Sequence, residues 1–183
     1  MVERALIEYC SATLASLKAG SLFNEAFQTE EELSLQLAMW NRCLTGKGIR
    51  LFVLRKSRNH ALIYVYRRNG LRRILARPEI AGFLAGYGYR DFEVDAALQR
   101  LRKRMTESDD FPHEIGVFLD YPLGDVIGFI ANGGRNFKCA GCWKVYCDEC
   151  GCRAAFARYR KCRDVYMRLW QNGRSVWQLT VAA

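Results

Sequence analysis

Long apolar runs are absent from this 183-residue sequence. No stretch approaches the roughly 20 consecutive apolar residues that a membrane-spanning helix needs. The opening segment, MVERALIEYC, contains Glu3 and Glu8 and lacks the basic start and apolar block of a secretory signal. These absences predict a cytoplasmic protein.

Familiar catalytic motifs are also absent. The two histidines, His60 and His113, are too few to argue a Ser-His-Asp arrangement. Glu114 follows His113, but no second histidine completes a HExxH metalloprotease motif. The glycine-rich segment GFLAGYG (82–88) has neither the lysine of a phosphate-binding loop nor dinucleotide-binding spacing. The sequence therefore assigns no reaction and identifies no cofactor.

The composition predicts one folded domain covering residues 1–183. Half of the residues are apolar and 13% are aromatic, which excludes a disordered chain. The length is that of one domain, and no repeat, low-complexity run or linker divides the chain.

Positive charge is in excess: the formal net charge is +9, with 21 arginines and 7 lysines. A functional interpretation is an anionic partner, either a small ligand or nucleic acid. A nucleic-acid surface would use the arginine-rich segments 67–77 and 100–104 and would bind without specificity and in a salt-sensitive way. The alternative interpretation is a solvated basic surface without a partner.

Hydrophobic periodicity predicts an α+β fold. Apolar residues at helical spacing indicate helices over 2–18 and 29–46, the second opened by a capping box of Thr29 and Glu32. The segments 49–55 and 61–67 are rich in branched and aromatic residues and predict a β-hairpin. Both faces of these strands are apolar, so we expect helices on both faces of a small, largely antiparallel sheet.

The segment 111–152 concentrates the unusual residues. Pro112 and Pro122 each begin a short apolar segment, which predicts two short helices joined by a tight turn. The tetrad WKVY (143–146) predicts a strand that joins the hairpin in the middle of the sheet. After it, helical spacing extends from about residue 148 to Gly173, although a second hairpin over 164–181 is a competing interpretation.

Five of the eight cysteines lie in this segment, and their spacing is typical of zinc sites. The two pairs are Cys139-x-x-Cys142 and Cys147-x-x-Cys150. Only WKVY separates them, and a strand rising about 3.3 Å per residue places the inner cysteines roughly 16 Å apart. One tetrahedral zinc site needs all four sulfurs at about 2.3 Å. We therefore predict no metal site and keep a thiol or zinc protein as an alternative function.

Polar residues among apolar neighbours are the candidates for a functional site. The candidate catalytic residues are His113 at a helix start, Lys144 within WKVY, and Cys10 as a thiolate donor from the first helix. Trp143 and Tyr146 are the candidate cofactor-binding walls. The hypothesis is that His113 and Lys144 line one polar pocket of a small-molecule-binding protein or enzyme, with Cys10 reaching it.

The motif FPHEIGVFLDYPLGDVIGFI, followed by WKVY, resembles an uncharacterised bacterial family, the domain-of-unknown-function family 3793. The opening LIEYCSATLASLK and the GY near residue 88 extend the resemblance over the whole chain. Asp120 and Cys147 stand where the family has glycine, and Ala12 stands where it has proline. The resemblance implies membership of the family but no activity.

Overall fold

A three-stranded antiparallel sheet forms the centre of the computed structural model, which describes residues 2–107 and 111–182. Its strands are β1 (Gly20–Ala26), β2 (Ile49–Lys56) and β3 (His60–Arg67). The strand order is β1-β3-β2, so β3 is central and pairs with both neighbours. The α+β class and the predicted hairpin are confirmed.

Helices make up most of the rest of the described chain. They are α1 (Val2–Leu14), α2 (Glu30–Leu44), α3 (Arg68–Leu75), α4 (Pro78–Ala85), α5 (Val94–Glu107), α6 (Ile115–Phe118), α7 (Leu123–Ala131), α8 (Glu149–Gln171) and α9 (Val176–Leu179). A short second sheet pairs β4 (Cys139–Ala140) with β5 (Lys144–Val145). Within the described residues, no helix is both long enough and apolar enough to cross a membrane.

The sheet is buried on both faces, as its apolar pattern predicts. Alternate residues of a strand point to opposite faces. Tyr64 and Tyr66 therefore pack with α3, α4, α5 and α6 on one face. Ile63 and Val65 pack with α1, α2 and α9 on the other. The helices on both faces explain why neither strand of the hairpin has a polar side.

The first helix is shorter than predicted, and a strand follows it. Ser16 adopts a positive φ of 62°, which ends the helical path after Leu14. Leu17 is exposed, so the predicted helix over 2–18 is wrong beyond Leu14. The chain then enters β1, whose glycine, serine, asparagine and glutamate are poor strand formers. Pairing with β3, rather than strand propensity, makes this segment extended.

The WKVY tetrad is not part of the central sheet. Only Lys144 and Val145 are in a strand, and they pair with Ala140 and Cys139. The prediction that WKVY lies in the middle of the main sheet is therefore wrong. Both edges of β3 are already occupied by β1 and β2, so no position beside it remains for a further strand.

The helical predictions for the second half of the chain are confirmed. The segments after Pro112 and Pro122 form α6 and α7. Asp148 caps α8 by accepting a hydrogen bond from the Gly151 amide, and this helix continues unbroken to Gln171. The hairpin alternative over 164–181 is wrong, because residues on both sides of Asn172 and Gly173 are helical.

Candidate functional site

A concave cavity of about 370 Å³ lies where the turn before α6, helix α7 and the β4–β5 sheet meet. We call it the Phe129 cavity. Its walls include Phe111, His113, Tyr121, Phe129, Trp143 and Lys144. Three of the five residues proposed from the sequence, namely His113, Trp143 and Lys144, therefore lie on one cavity.

His113 is placed on the cavity by its buried neighbour. Glu114 is only 1% exposed and accepts a hydrogen bond of 2.8 Å from Arg104 of α5, with the Tyr89 hydroxyl 3.4 Å away. With Glu114 held inward, the exposed His113 ring lies against Phe129, at a centroid distance of 4.9 Å. The Glu114–Arg104 ion pair holds Glu114 inward, so it is the His113 side chain of this turn that faces the cavity.

Lys144 reaches the same cavity from β5. Its ammonium nitrogen donates a hydrogen bond of 2.8 Å to the Gly134 carbonyl oxygen. It also lies 5.0 Å from the centroid of Phe137 and 5.8 Å from that of Phe129. Among the described residues, no carboxylate forms an ion pair with Lys144. The lysine therefore brings an uncompensated positive charge to an aromatic wall.

Trp143 lines the same cavity. Its ring stacks on Tyr121 at 4.6 Å and meets Phe156 edge-on at 4.5 Å. Its indole nitrogen donates a hydrogen bond of 2.8 Å to Asp125. Contacts with Tyr121, Phe156 and Asp125 hold the ring in one orientation.

Asp125 of α7 is the residue that joins these elements. Its buried carboxylate accepts hydrogen bonds from the backbone amides of Tyr146 and Cys147 and from the Trp143 indole, and the Cys152 thiol lies 3.4 Å away. Burial alone would raise the pKa of this carboxyl. The hydrogen bonds outweigh that effect, and the pKa of Asp125 lies below its ordinary value.

Asp125 and Phe129 were not among the residues proposed from the sequence. The signal for Asp125 was present, because an acidic residue inside the apolar helix LGDVIGFIA needs a hydrogen-bond partner. No signal marked Phe129, since an aromatic residue on an apolar helix is ordinarily part of the core.

Two of the five proposed residues do not line the Phe129 cavity. Tyr146 points away, packs over Gly128 and donates a hydrogen bond to the Arg135 carbonyl oxygen. Cys10 is fully buried among the apolar residues between α1 and the sheet, and burial raises the pKa of its thiol. Its position on the apolar face of α1 makes it a core residue that does not reach the cavity.

The cysteines proposed as an alternative site are divided between core and surface. Cys139 and Cys152 are buried, whereas Cys142, Cys147 and Cys150 are exposed. All eight cysteines lie in the described part of the chain, and none of them forms a disulfide. In that part of the chain, no three histidine, cysteine or acidic side chains are grouped in a way that could hold a metal ion.

The two arginine-rich segments are partly neutralised by neighbouring carboxylates. The ion pairs are Arg68–Asp95, Arg100–Glu107 and Arg104–Glu114. Arg67 is buried and donates to the backbone carbonyls of Thr13, Leu14 and Val181. These segments therefore offer nucleic acid less free charge than their sequence indicates. Weak, non-specific binding there stays a prediction.

The fold and the cavity define an α+β protein with an aromatic-walled pocket beside its central sheet. A model of the family described as a protein of unknown function (DUF3793) matches residues 6–180. The chain belongs to this family, which confirms the resemblance drawn from its motifs. Comparison with curated proteins and with solved structures found no match.

Proposed function

We propose that the protein binds a small, flat, apolar molecule bearing an anionic group, and that the Phe129 cavity is the binding site. The observation that carries the proposal is that His113 and Lys144 flank one aromatic ring, Phe129, on the wall of one cavity. An apolar concavity on which a small number of polar groups converge is the usual pattern of a small-molecule site.

The chemistry of the walls defines the ligand class. Trp143, Tyr121 and Phe129 line the cavity with aromatic, largely apolar surface, which suits a ligand with a ring. The Lys144 ammonium has no acidic partner among the described residues, so a ligand carboxylate would supply one. His113 adds a hydrogen-bonding group at the rim. The volume of about 370 Å³ falls in the ordinary range for such sites, about 300–1,000 Å³.

Matched probes test this proposal. Ligand-observed NMR would compare 2-naphthoate with 2-naphthamide, which has a similar ring but no charge. We expect the acid to bind roughly tenfold more tightly, a difference of about 1.4 kcal/mol. Lys144→Met should remove the preference, because its ammonium is the proposed partner of the carboxylate.

The control is Lys161→Met, which removes the same charge from an exposed position on α8. It should keep the preference for the acid. Equal binding of acid and amide to the unchanged protein, or the same loss in both lysine variants, would refute the proposal.

We also propose a cytoplasmic location. Eight cysteines without a disulfide suit a reducing compartment, in which thiols persist. Labelling of all eight thiols in freshly lysed cells, after denaturation and before any reductant is added, would support it; thiols that react only after a reductant is added would contradict it.

A further inference from the structure

A second cavity, of about 400 Å³, lies between α1, the segment 15–19 and helix α8. We call it the Lys18 cavity. Its walls include Glu8, Lys18, Cys142, Tyr159, Arg160 and Arg163. Gly141 and Cys142 also line the Phe129 cavity, so the two cavities share one turn as a wall. None of the five candidate catalytic and cofactor-binding residues proposed from the sequence lies on this second cavity.

The charges on its walls are not balanced. Glu8 is paired with Arg4 outside the cavity, and Arg163 with Asp164. Lys18 and Arg160 form no ion pair with any carboxylate among the described residues. Two cations therefore face one concavity without an acidic partner.

Lys18 lies in surroundings that disfavour an isolated charge. Its ammonium is 5.2 Å from the Tyr121 ring centroid and 5.9 Å from that of Tyr159. The nearby Asp120 carboxylate instead accepts a hydrogen bond from the Ala19 amide. Burial lowers the pKa of Lys18, and the neighbouring acidic groups, Cys142 first among them, only partly offset that effect. An anion bound at this point would relieve the unfavourable burial of the charge.

We propose that the Lys18 cavity binds the phosphate group of a small molecule, with Lys18 and Arg160 as its ionic contacts. Two unpaired positive charges match a phosphate dianion, whereas a carboxylate would neutralise only one of them. The guanidinium of Arg160 suits two phosphate oxygens at once. The site is separate from the Phe129 cavity and does not depend on the function proposed for it.

Isothermal titration calorimetry with inorganic phosphate, at constant ionic strength, tests the proposal on the full chain. We expect saturable binding to one site. Lys18→Met should weaken it roughly tenfold or more, a loss of about 1.4 kcal/mol for each factor of ten. Lys161→Met, which removes an equal charge from an exposed position of α8 that does not line the cavity, should leave it within about twofold, because solvent and salt screen an exposed charge. Acetate should bind more weakly than phosphate.

Lys18→Met is expected to fold, since it breaks no ion pair of the described structure, and its thermal midpoint should not fall below that of the unchanged protein. Lys18→Arg, which keeps the charge, should retain part of the affinity. No saturable binding of phosphate, an equal loss in Lys18→Met and Lys161→Met, or equal affinity for acetate would overturn the proposal. Loss of naphthoate binding would not bear on it, because that probe reports on the other cavity.

Discussion

A single carboxylate, that of Asp125, organises the wall of the Phe129 cavity. It orients the Trp143 ring and holds the backbone at Tyr146 and Cys147, so β5 stays beside α7. Lys144 lies between these anchored residues, and its position on the cavity follows from them. The geometry of the candidate site thus depends on a residue that contributes acceptors rather than a reactive group.

Replacing Asp125 by alanine should destabilise the protein by about 2–4 kcal/mol, because three polar donors and a thiol lose their acceptor. Urea unfolding followed by circular dichroism at neutral pH measures the change. Asp164→Ala is the matched control: its ion pair with Arg163 is exposed, so its loss should cost no more than about 1 kcal/mol. Equal effects of the two substitutions would contradict the role given to Asp125.

The same carboxyl predicts a dependence on pH. The pKa of Asp125 is lower in the folded state than the value of about 3.9 expected in the unfolded chain. Its stabilising contribution is therefore complete above that value and is lost as the pH falls through the folded pKa. The gap in unfolding free energy between the unchanged protein and Asp125→Asn should narrow over that acidic range. A constant gap from neutral to acidic pH would show that the charge of Asp125 contributes nothing.

Helix α7 lies close to the turn that follows β5. The two points of closest approach are Gly124 and Gly128, which are spaced four residues apart. A Cβ atom added at Gly124 would lie 2.5 Å from the Cys147 sulfur. One added at Gly128 would lie 2.5 Å from the Tyr146 ring. The close approach brings the Asp125 carboxylate within hydrogen-bonding distance of both backbone amides.

Gly128→Ala should therefore destabilise the protein by about 1–3 kcal/mol, since the methyl group meets a ring that is already packed. Gly82→Ala is its control, because Gly82 lies in α4 with no atom near the added methyl group. That substitution should stabilise the protein by about 0.5–1 kcal/mol. Chemical unfolding of both variants measures the difference, and a tolerated alanine at position 128 would contradict the close packing described here.

The sequence predicted correctly those helices and strands that have a clear local residue pattern. The hairpin of β2 and β3 followed from its apolar, branched residues, and the start of α2 from Thr29, whose side chain caps the helix by accepting a hydrogen bond from the Glu32 amide. The strand β1 was missed because its residues have little strand propensity and only pairing with β3 makes it extended. WKVY was placed in the wrong sheet because its position depends on a distant carboxylate, that of Asp125, which no local pattern reveals.

Only part of the candidate site could be predicted from the sequence, because local patterns do not show which side chains the fold brings together. His113 and Lys144 were noticeable as polar residues among apolar neighbours, and both line the Phe129 cavity together with Trp143. Cys10 was proposed as a thiolate donor from the first helix and Tyr146 as a wall of the pocket within WKVY, but tertiary packing directs both side chains elsewhere. The position of Phe129 between His113 and Lys144 became visible only in the folded structure.

At the scale of the whole molecule, the candidate chemistry lies beside the central sheet rather than on it. Helices bury the two faces of the sheet. Both cavities border the turn at Gly141 and Cys142. Ion pairs neutralise part of the positive charge of the chain, and the cavity-lining residues Lys18, Lys144 and Arg160 are among the cations that form none within the described residues. The sheet provides stability, and the segment around residues 111–147 provides the candidate binding surface.

The most direct test of the central claim, that the Phe129 cavity is a ligand site, is to fill it. The fluorescence of 1-anilinonaphthalene-8-sulfonate, an aromatic anion, would be titrated on the unchanged protein and on two variants. Ala140→Trp places a large ring on the cavity wall, whereas Ala131→Trp places the same ring on an exposed position of α7 away from the cavity. We predict saturable binding that weakens roughly tenfold or more, at least about 1.4 kcal/mol, in Ala140→Trp and persists in Ala131→Trp. Binding that is unchanged by Ala140→Trp, or equally reduced in both variants, would show that the Phe129 cavity is not the binding site.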